Sequence, residues 1–172
     1  SGMKNVRLRT YKDTGTILVD DGLIEADRLD EAADVQAQTG YSMGRALVEL
    51  GYISEWELAK AVAKELGVPF IRLKQADVLS EGCQRLDPSD MHQHLFFPLD
   101  RFDTTDTVVV AEPPTLDLLA KLTPILGERV FFLVSLISDV VRVLEQAVPL
   151  DAEALEIRGN YTSAEEILSG FQ

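Results

Sequence analysis

Residues 13–29 read DTGTILVDDGLIEADRL, and residues 42–58 read SMGRALVELGYISEWEL. Laid over one another they are one pattern written twice: Gly15, Leu18, Val19, Gly22, Leu23, Ile24 and Leu29 return as Gly44, Leu47, Val48, Gly51, Tyr52, Ile53 and Leu58, each 29 residues later. Two glycines and a set of apolar positions recurring in register indicate a tandem duplication of one supersecondary unit. In the second copy Met43, Ala46, Leu47 and Leu50 share the three- and four-residue spacing of a helical face. Gly51 then provides a left-handed stop, and Ser54 with Glu57 forms a capping box for a second helix whose inward face is Leu58, Ala61, Val62 and Leu66. The first copy reads the same way, with Gly22 as the stop, Leu29, Ala32, Ala33 and Gln36 on one face, and Glu25 as a weaker cap than Ser54. Neither helix-turn-helix unit can bury its apolar face alone. Two packed about a local two-fold make a small helical core over residues 13–66.

Beyond it, Gly67-Val-Pro69 ends the helical region, since glycine stops a helix and proline cannot extend one. Phe70 to Leu73 is a short edge segment, and two short helices are expected between Ser80 and His94, the second opened by Asp87-Pro88. Phe96 to Phe102 reads as a strand, Asp103 to Asp106 as a turn, and Thr107 to Ala111 as the returning strand of a hairpin. Thr115 caps a helix with apolar Leu116, Leu119, Ala120 and Leu122, which Pro124 kinks or ends, with Ile125, Leu126 and Gly127 able to complete a last turn. Arg129 to Val134 is a continuous apolar strand, and Ser135 or Ser138 caps a last helix, with Val140, Val141 and Leu144 inward, that runs to Ala147. The fold class is therefore α+β. A tandem helix-turn-helix repeat forms a small helical subdomain (13–66), followed by a β-β-α-β-α domain with a small sheet (67–148). Residues 1–12 form a basic N-terminal arm and 149–172 an acidic linker or tail carrying a short capped helix from Thr162 to Leu168.

With 46% hydrophobic and 26% charged residues in 172, the composition is that of a globular protein. No apolar run is long enough to span a membrane and no export signal is present, so a cytoplasmic protein is expected. The single cysteine, Cys83, excludes an internal disulfide framework. Net charge is −13 and uneven. Residues 1–75 carry ten Lys/Arg against twelve Asp/Glu, a net of −2; residues 76–172 carry six against seventeen, a net of −11. Such a second half repels phosphate backbones, so nucleic acid is not expected as its partner. No Walker loop, dinucleotide fingerprint or nucleophile elbow occurs, and no catalytic residue can be assigned. His92 and His94, two apart on a helix, point to different faces and are read as surface residues, with no metal site.

Taken together, the duplicated pattern, Glu65-Leu-Gly-Val-Pro-Phe-Ile-Arg-Leu73, Phe97-Pro-Leu99, Thr107-Val-Val-Val-Ala-Glu-Pro113 and Arg129-Val-Phe131 resemble the N-terminal domain of type II secretion and type IV pilus assembly ATPases over about residues 13–148. The resemblance implies a non-catalytic regulatory domain that docks on an inner-membrane platform protein from the cytoplasm, with an ATPase domain downstream in the parent protein. A subset of that family, the MshEN type, binds cyclic di-GMP through paired motifs. Carried over residue by residue, Gly15, Leu18, Val19, Gly22, Leu23, Ile24, Leu29 and Gln36 match the first motif; Gly44, Leu47, Val48, Gly51, Tyr52, Ile53 and Leu58 match the second. The polar positions depart. Asp13 and Ser42 stand where the family has arginines, and Glu65 stands where it has its second glutamine. An arginine can clamp phosphate through two parallel hydrogen bonds and an aspartate repels it, so docking is ranked ahead of nucleotide sensing and no cofactor is expected. Trp56, on a different helical face from Leu58, is the candidate partner contact; burial against the second domain is the competing reading. This reading predicts no ATP hydrolysis by the 172-residue chain; phosphate release that is lost on substituting one of its own residues would overturn it.

Overall fold

A computed structural model describes residues 10–74, 81–126 and 129–150. The expectations for residues 1–9 and for the tail from residue 151 lie outside the described residues.

The duplication folds as four helices, α1 (Thr14–Asp20), α2 (Arg28–Thr39), α3 (Met43–Glu49) and α4 (Glu55–Leu66). Each copy ends its first helix in the same way. Gly22 N–H donates to Val19 O (3.0 Å) and Leu23 N–H to Leu18 O (2.9 Å); Gly51 N–H donates to Val48 O (3.0 Å) and Tyr52 N–H to Leu47 O (3.0 Å). This paired Schellman closure needs a left-handed residue, and the glycines take φ of +73° and +81°. Packing is crossed: α1 lies on α4 and α2 on α3. Exchanging the two copies turns one of these pairs into the other, which is the relation a local two-fold requires.

The copies differ where their caps differ. Ser54 and Glu57 form the expected capping box at α4. Glu25, the counterpart of Ser54, makes no such bond. Residues 25–30 instead enter α2 through backbone bonds from Arg28 to Glu25, Leu29 to Ala26 and Asp30 to Asp27, so regular helix begins two residues later than in the second copy. On α2 the fully buried residues are Ala32 and Val35; Ala33, expected inward, is exposed. The buried face of α2 thus runs through Ala32 and Val35, one step round the helix from Ala33.

A 3₁₀ turn (Glu81–Arg85) and α5 (Pro88–His94) lead into β1 (Phe96–Phe102), β2 (Thr105–Val110), α6 (Leu116–Leu122), β3 (Arg129–Val134) and α7 (Ile137–Ala147). The sheet order is β1-β2-β3, antiparallel then parallel. Pro98 is tolerated because β1 is an edge strand, and the register shifts beside it. Phe70 bridges to Val134 in parallel, with Ile71 N–H donating to Val134 O (2.8 Å), so the edge segment extends the sheet beyond β3.

Several expectations are corrected. The hairpin turn is only Asp103-Thr104, and Thr105 and Asp106 belong to β2. Asp106 is fully buried and paired with Arg85 (3.2 Å), so a residue that reads as turn former is an interior ion-pair partner. On α6, Leu118, Leu119 and Leu122 are buried while Leu116 and Ala120 are exposed. Neither Ser135 nor Ser138 caps α7. Ser135 donates from its hydroxyl to Ile71 O (2.8 Å), while Glu55 of α4 accepts from Ser138 N–H (3.0 Å) and Oγ (2.8 Å). That cap comes from another helix 83 residues away, where no local pattern could reveal it. Val143, rather than Val141, joins Val140 and Leu144 in the core. His92 and His94 are half-buried rather than surface residues, and His92 Nε2 lies 2.6 Å from Val148 O.

One hydrophobic core runs from Leu18 and Leu47 through Leu58 and Val62 to Phe97, Phe132 and Leu144. Asp139, 1% exposed, sews the edge segment to α7: it accepts from Arg72 Nε (2.9 Å), Leu73 N–H (3.1 Å) and Arg142 Nη1 (3.1 Å). Burial alone would push its carboxyl up, but these donors outweigh that and hold it below the usual aspartate value.

A Cβ added at Gly22 or Gly51 meets nothing within 4 Å, so substitution there tests backbone strain free of packing. Gly22→Ala and Gly51→Ala should each lower stability by about 1–2 kcal/mol, read as a shift of the urea midpoint at constant slope.

Candidate functional site

The motif positions are chemically alike in the two copies, yet the fold gives them different surroundings. The second copy lies between the first copy and the sheet, with α4 against β3. Its Leu47, Ile53 and Leu58 are therefore core residues, 0%, 5% and 1% exposed. In the first copy Leu18 is equally buried, but Ile24 and Leu29, the counterparts of Ile53 and Leu58, are only half-buried.

A cleft of about 840 Å³ opens beside the first copy. Gly15, Val19, Leu29 and Gln36 line it, joined by residues 41–43 and by the β2–α6 connection from Glu112 to Thr115. A shallower hollow of about 560 Å³ gathers Val19, Gly22, Leu23, Ile24 and Tyr52. There Tyr52 departs usefully from its counterpart Leu23. Its hydroxyl donates to Glu31 Oε2, Arg28 donates to Glu31 Oε1 (3.1 Å), and the guanidinium carbon lies 4.7 Å from the centroid of the Tyr52 ring. The Tyr52 hydroxyl, then Arg28, hold the Glu31 carboxyl below its usual value. Gly44, Leu47, Val48, Gly51, Ile53 and Leu58 line neither hollow.

Asp13 and Ser42 prove to be equivalent in role. Asp13 accepts from Thr16 N–H (2.7 Å) and caps α1; Ser42 accepts from Arg45 N–H (3.2 Å) and caps α3. The two positions where the resembled motif carries arginine are spent here on opening helices. The nearby cations do not replace them. Lys12 pairs with Asp20 (3.1 Å), and the Arg45 guanidinium lies 4.0 Å from the Tyr41 ring centroid. Glu65 is half-buried and lines neither hollow.

The residue that ties these parts together is Glu112, to which the sequence assigned no role. It sits after β2, is 6% exposed, and its Oε1 accepts from Thr14 Oγ1 (2.8 Å) and Gly44 N–H (2.7 Å). One carboxylate thus bonds the first residue of α1 and the second residue of α3, where backbone N–H groups lack partners within their own helices. Burial pushes its pKa up, against the opposing pull of Ser42, Gly44, Thr14 and Arg45. Gly44 is what lets it approach, because a Cβ there would lie 2.6 Å from Glu112 Cδ and 2.8 Å from Leu58 Cδ2. At Gly15 the same atom would meet Leu29 methyls at 3.2 Å and Asp13 Oδ1 at 3.6 Å. An acid two residues after a β-branched strand and directly before Pro113-Pro114 was the available signal, though nothing local identifies its partners. Trp56, which lines neither hollow, is 53% exposed; its ring lies 5.8 Å from Phe70 and 4.9 Å from the Arg72 guanidinium carbon.

Two outcomes test this joint. Gly44→Ala should cost about 1–3 kcal/mol through overpacking and Gly15→Ala clearly less, as compared by thermal melts. Because the folded pKa of Glu112 is raised above the ordinary value of about 4.3, its contribution favours folding at acid pH and is lost as pH rises through the raised pKa. Urea midpoints against pH should therefore fall less steeply above about pH 4.3 in Glu112→Gln than in the parent chain.

Comparison with known proteins matches this geometry to one family. The MshEN domain profile matches residues 66–154, just over half of the 172-residue chain. The type IV pilus assembly ATPase PilB of Myxococcus xanthus is 32% identical over 99 residues, 58% of this chain and 18% of that protein; PilB of Thermus thermophilus is 28% identical over 67 residues, 39% and 8%. The aligned part thus spans under a fifth of the curated relatives it matches. Among solved structures, MshE with cdg superposes with a TM-score of 0.53 at 24% identity, covering 78% of this chain and 98% of that one. The N-terminal domain of XpsE superposes with a TM-score of 0.55 at 22% identity, covering 81% and 99%. Those likenesses carry the α+β architecture derived above, and no described helix is long and apolar enough to cross a membrane. With the family profile covering the sheet half, the chain belongs to the MshEN domain family.

Proposed function

We propose that this chain is the non-catalytic regulatory and docking end of a secretion or pilus assembly ATPase, acting in the cytoplasm at the inner membrane. Its role is to bind a platform protein on behalf of an ATPase domain that follows in the parent protein. The observation that carries the docking part is the Trp56 cluster. Trp56, at 53% exposure, is not consumed by the core, yet Phe70 and Arg72 fix its ring, and Arg72 is itself anchored on buried Asp139. An aromatic held in place while exposed loses little freedom on binding, and tryptophan and arginine are the residue types enriched among interface hot spots. The competing reading of Trp56 as a core residue is met halfway by its contact with Phe70.

A second reading, binding of cyclic di-GMP, is favoured by the fold likeness to MshE, whose structure contains cdg. Local chemistry weighs against it. Asp13 and Ser42 cap helices at the clamp positions, and among the described residues the cleft has acidic side chains and no lysine or arginine. Missing two charge-assisted clamps removes on the order of 1.5–3 kcal/mol each.

Trp56→Ala should leave the melting temperature within a few degrees of the parent and abolish capture of the cognate platform protein in a pull-down. Retained capture together with an early melt would make Trp56 a packing residue and move the interface elsewhere. Calorimetry should find cyclic di-GMP binding weaker than about 1 μM, the level that corresponds to roughly 8 kcal/mol. Asp13→Arg with Ser42→Arg should strengthen it only at the expense of two caps, about 1 kcal/mol of stability apiece.

A further inference from the structure

The cleft beside the first copy has an unusual charge pattern for a hollow bounded by two helix starts. Asp13 and Asp20 stand on one wall and Asp117 on the other, all exposed, and Glu112 lies between them. Among the described lining residues there is no lysine or arginine, and burial keeps the pKa of His94 below the usual histidine value, which favours its neutral form near neutral pH. Glu112 adds a sharper indication. Its Oε1 accepts from Thr14 and Gly44, while Oε2, also buried, has no partner in hydrogen-bond geometry, with Ser42 and the Arg45 N–H the nearest groups that favour its charged form. A buried carboxylate oxygen without a donor is costly, and a donor brought into the cleft would relieve it. Between the acids the surface is apolar: Val19, Leu29 and Pro114 line the cleft, and Leu116, 66% exposed, stands at its mouth.

From this arrangement we infer that the cleft takes a basic, partly apolar segment of a protein partner, with lysine or arginine side chains set against Asp13, Asp117 and Glu112 and apolar side chains against Val19, Leu29 and Leu116. The inference rests on the docking reading and adds a second contact surface, distinct from the Trp56 cluster, with a stated chemistry. Charge complementarity selects this occupant. An anion meets Asp13, Asp117 and Glu112, with Asp20 already paired to Lys12, whereas a neutral apolar segment leaves Glu112 Oε2 unsatisfied. The peptide ammonium or guanidinium supplies the missing donor, and the acids on the walls speed its encounter.

The probe is a short fluorescent peptide of alternating lysine and leucine, titrated into the full chain by anisotropy, with a glutamate-leucine peptide as its mirror in charge. The basic peptide should bind saturably and the acidic one should not. Asp13→Asn with Asp117→Asn keeps an α1 cap, because asparagine caps as well as aspartate, and should weaken binding about tenfold with an unchanged melt. Asp100→Asn with Asp103→Asn alters net charge equally at the β1–β2 hairpin and should leave the affinity unchanged. Equal weakening by the two pairs would mean unspecific attraction to an acidic chain and would overturn the proposal. So would a large gain in affinity on Lys4→Gln, Arg7→Gln and Arg9→Gln, which would assign the cleft to the chain's own basic arm. If the peptide fails to bind while Trp56→Ala still abolishes platform capture, the cleft assignment falls and the docking reading stands. If the peptide binds and Trp56→Ala leaves capture intact, the cleft assignment stands and Trp56 is not the platform contact.

Discussion

Two short helices beginning side by side create a problem that this fold solves with one carboxylate. The first N–H groups of α1 and α3 have no partners within their own helices, and both helix starts face the β2–α6 connection. Glu112 reaches in from that connection and accepts from the Thr14 hydroxyl and the Gly44 N–H. The bond to Gly44 spans 68 positions and the bond to Thr14 spans 98, so this single side chain fastens the duplicated helices to the sheet. Gly44 is constrained by the same contact, since any side chain there would collide with the carboxyl. A motif glycine that looks like a conformational device is in fact a space requirement.

The duplication has diverged under that constraint. The crossed pairing of α1 with α4 and α2 with α3 preserves a local two-fold, but the sheet breaks it by covering only the second copy. The covered copy became core, and the uncovered copy kept Gly15, Val19, Leu29 and Gln36 on an open cleft. Tyr52 then ties the second turn to helix α2 of the first copy through Glu31 and Arg28. The acids that line the cleft are partly the caps themselves, as Asp13 shows, so helix capping and the charge of the cleft are set by the same substitutions.

Other joints repeat the theme of distant groups completing local elements. Glu55, in the first turn of α4, closes the N-terminus of α7 through Ser138. Asp139, in the first turn of α7, gathers the Arg72-Leu73 backbone and side chain against the sheet edge. Arg72, thus placed, reaches the Trp56 ring. The exposed aromatic cluster is therefore positioned by an ion pair to a buried aspartate rather than by its own helix alone, which links the stability of the seam to the surface offered to a partner.

By itself the sequence determined what depends on near neighbours. The 29-residue repeat, the glycine stops, the Ser54–Glu57 box, the Asp87-Pro88 helix start and the β-β-α-β-α order all follow from spacing and local hydrogen-bonding chemistry, and all appear in the fold. The resemblance to secretion and pilus ATPase N-terminal domains was legible for the same reason, because its motif consists of those caps and core positions. Tertiary structure decided what depends on partners far along the chain. It placed Asp106 inside a strand rather than in a turn, turned Val35 inward in place of Ala33, gave α7 a cap from Glu55, and buried one copy of the motif while leaving the other open. Above all it made Glu112 the joint of the molecule. A carboxylate's role is fixed by the donors it meets, and those donors lie at the starts of two helices that only the folded chain brings together.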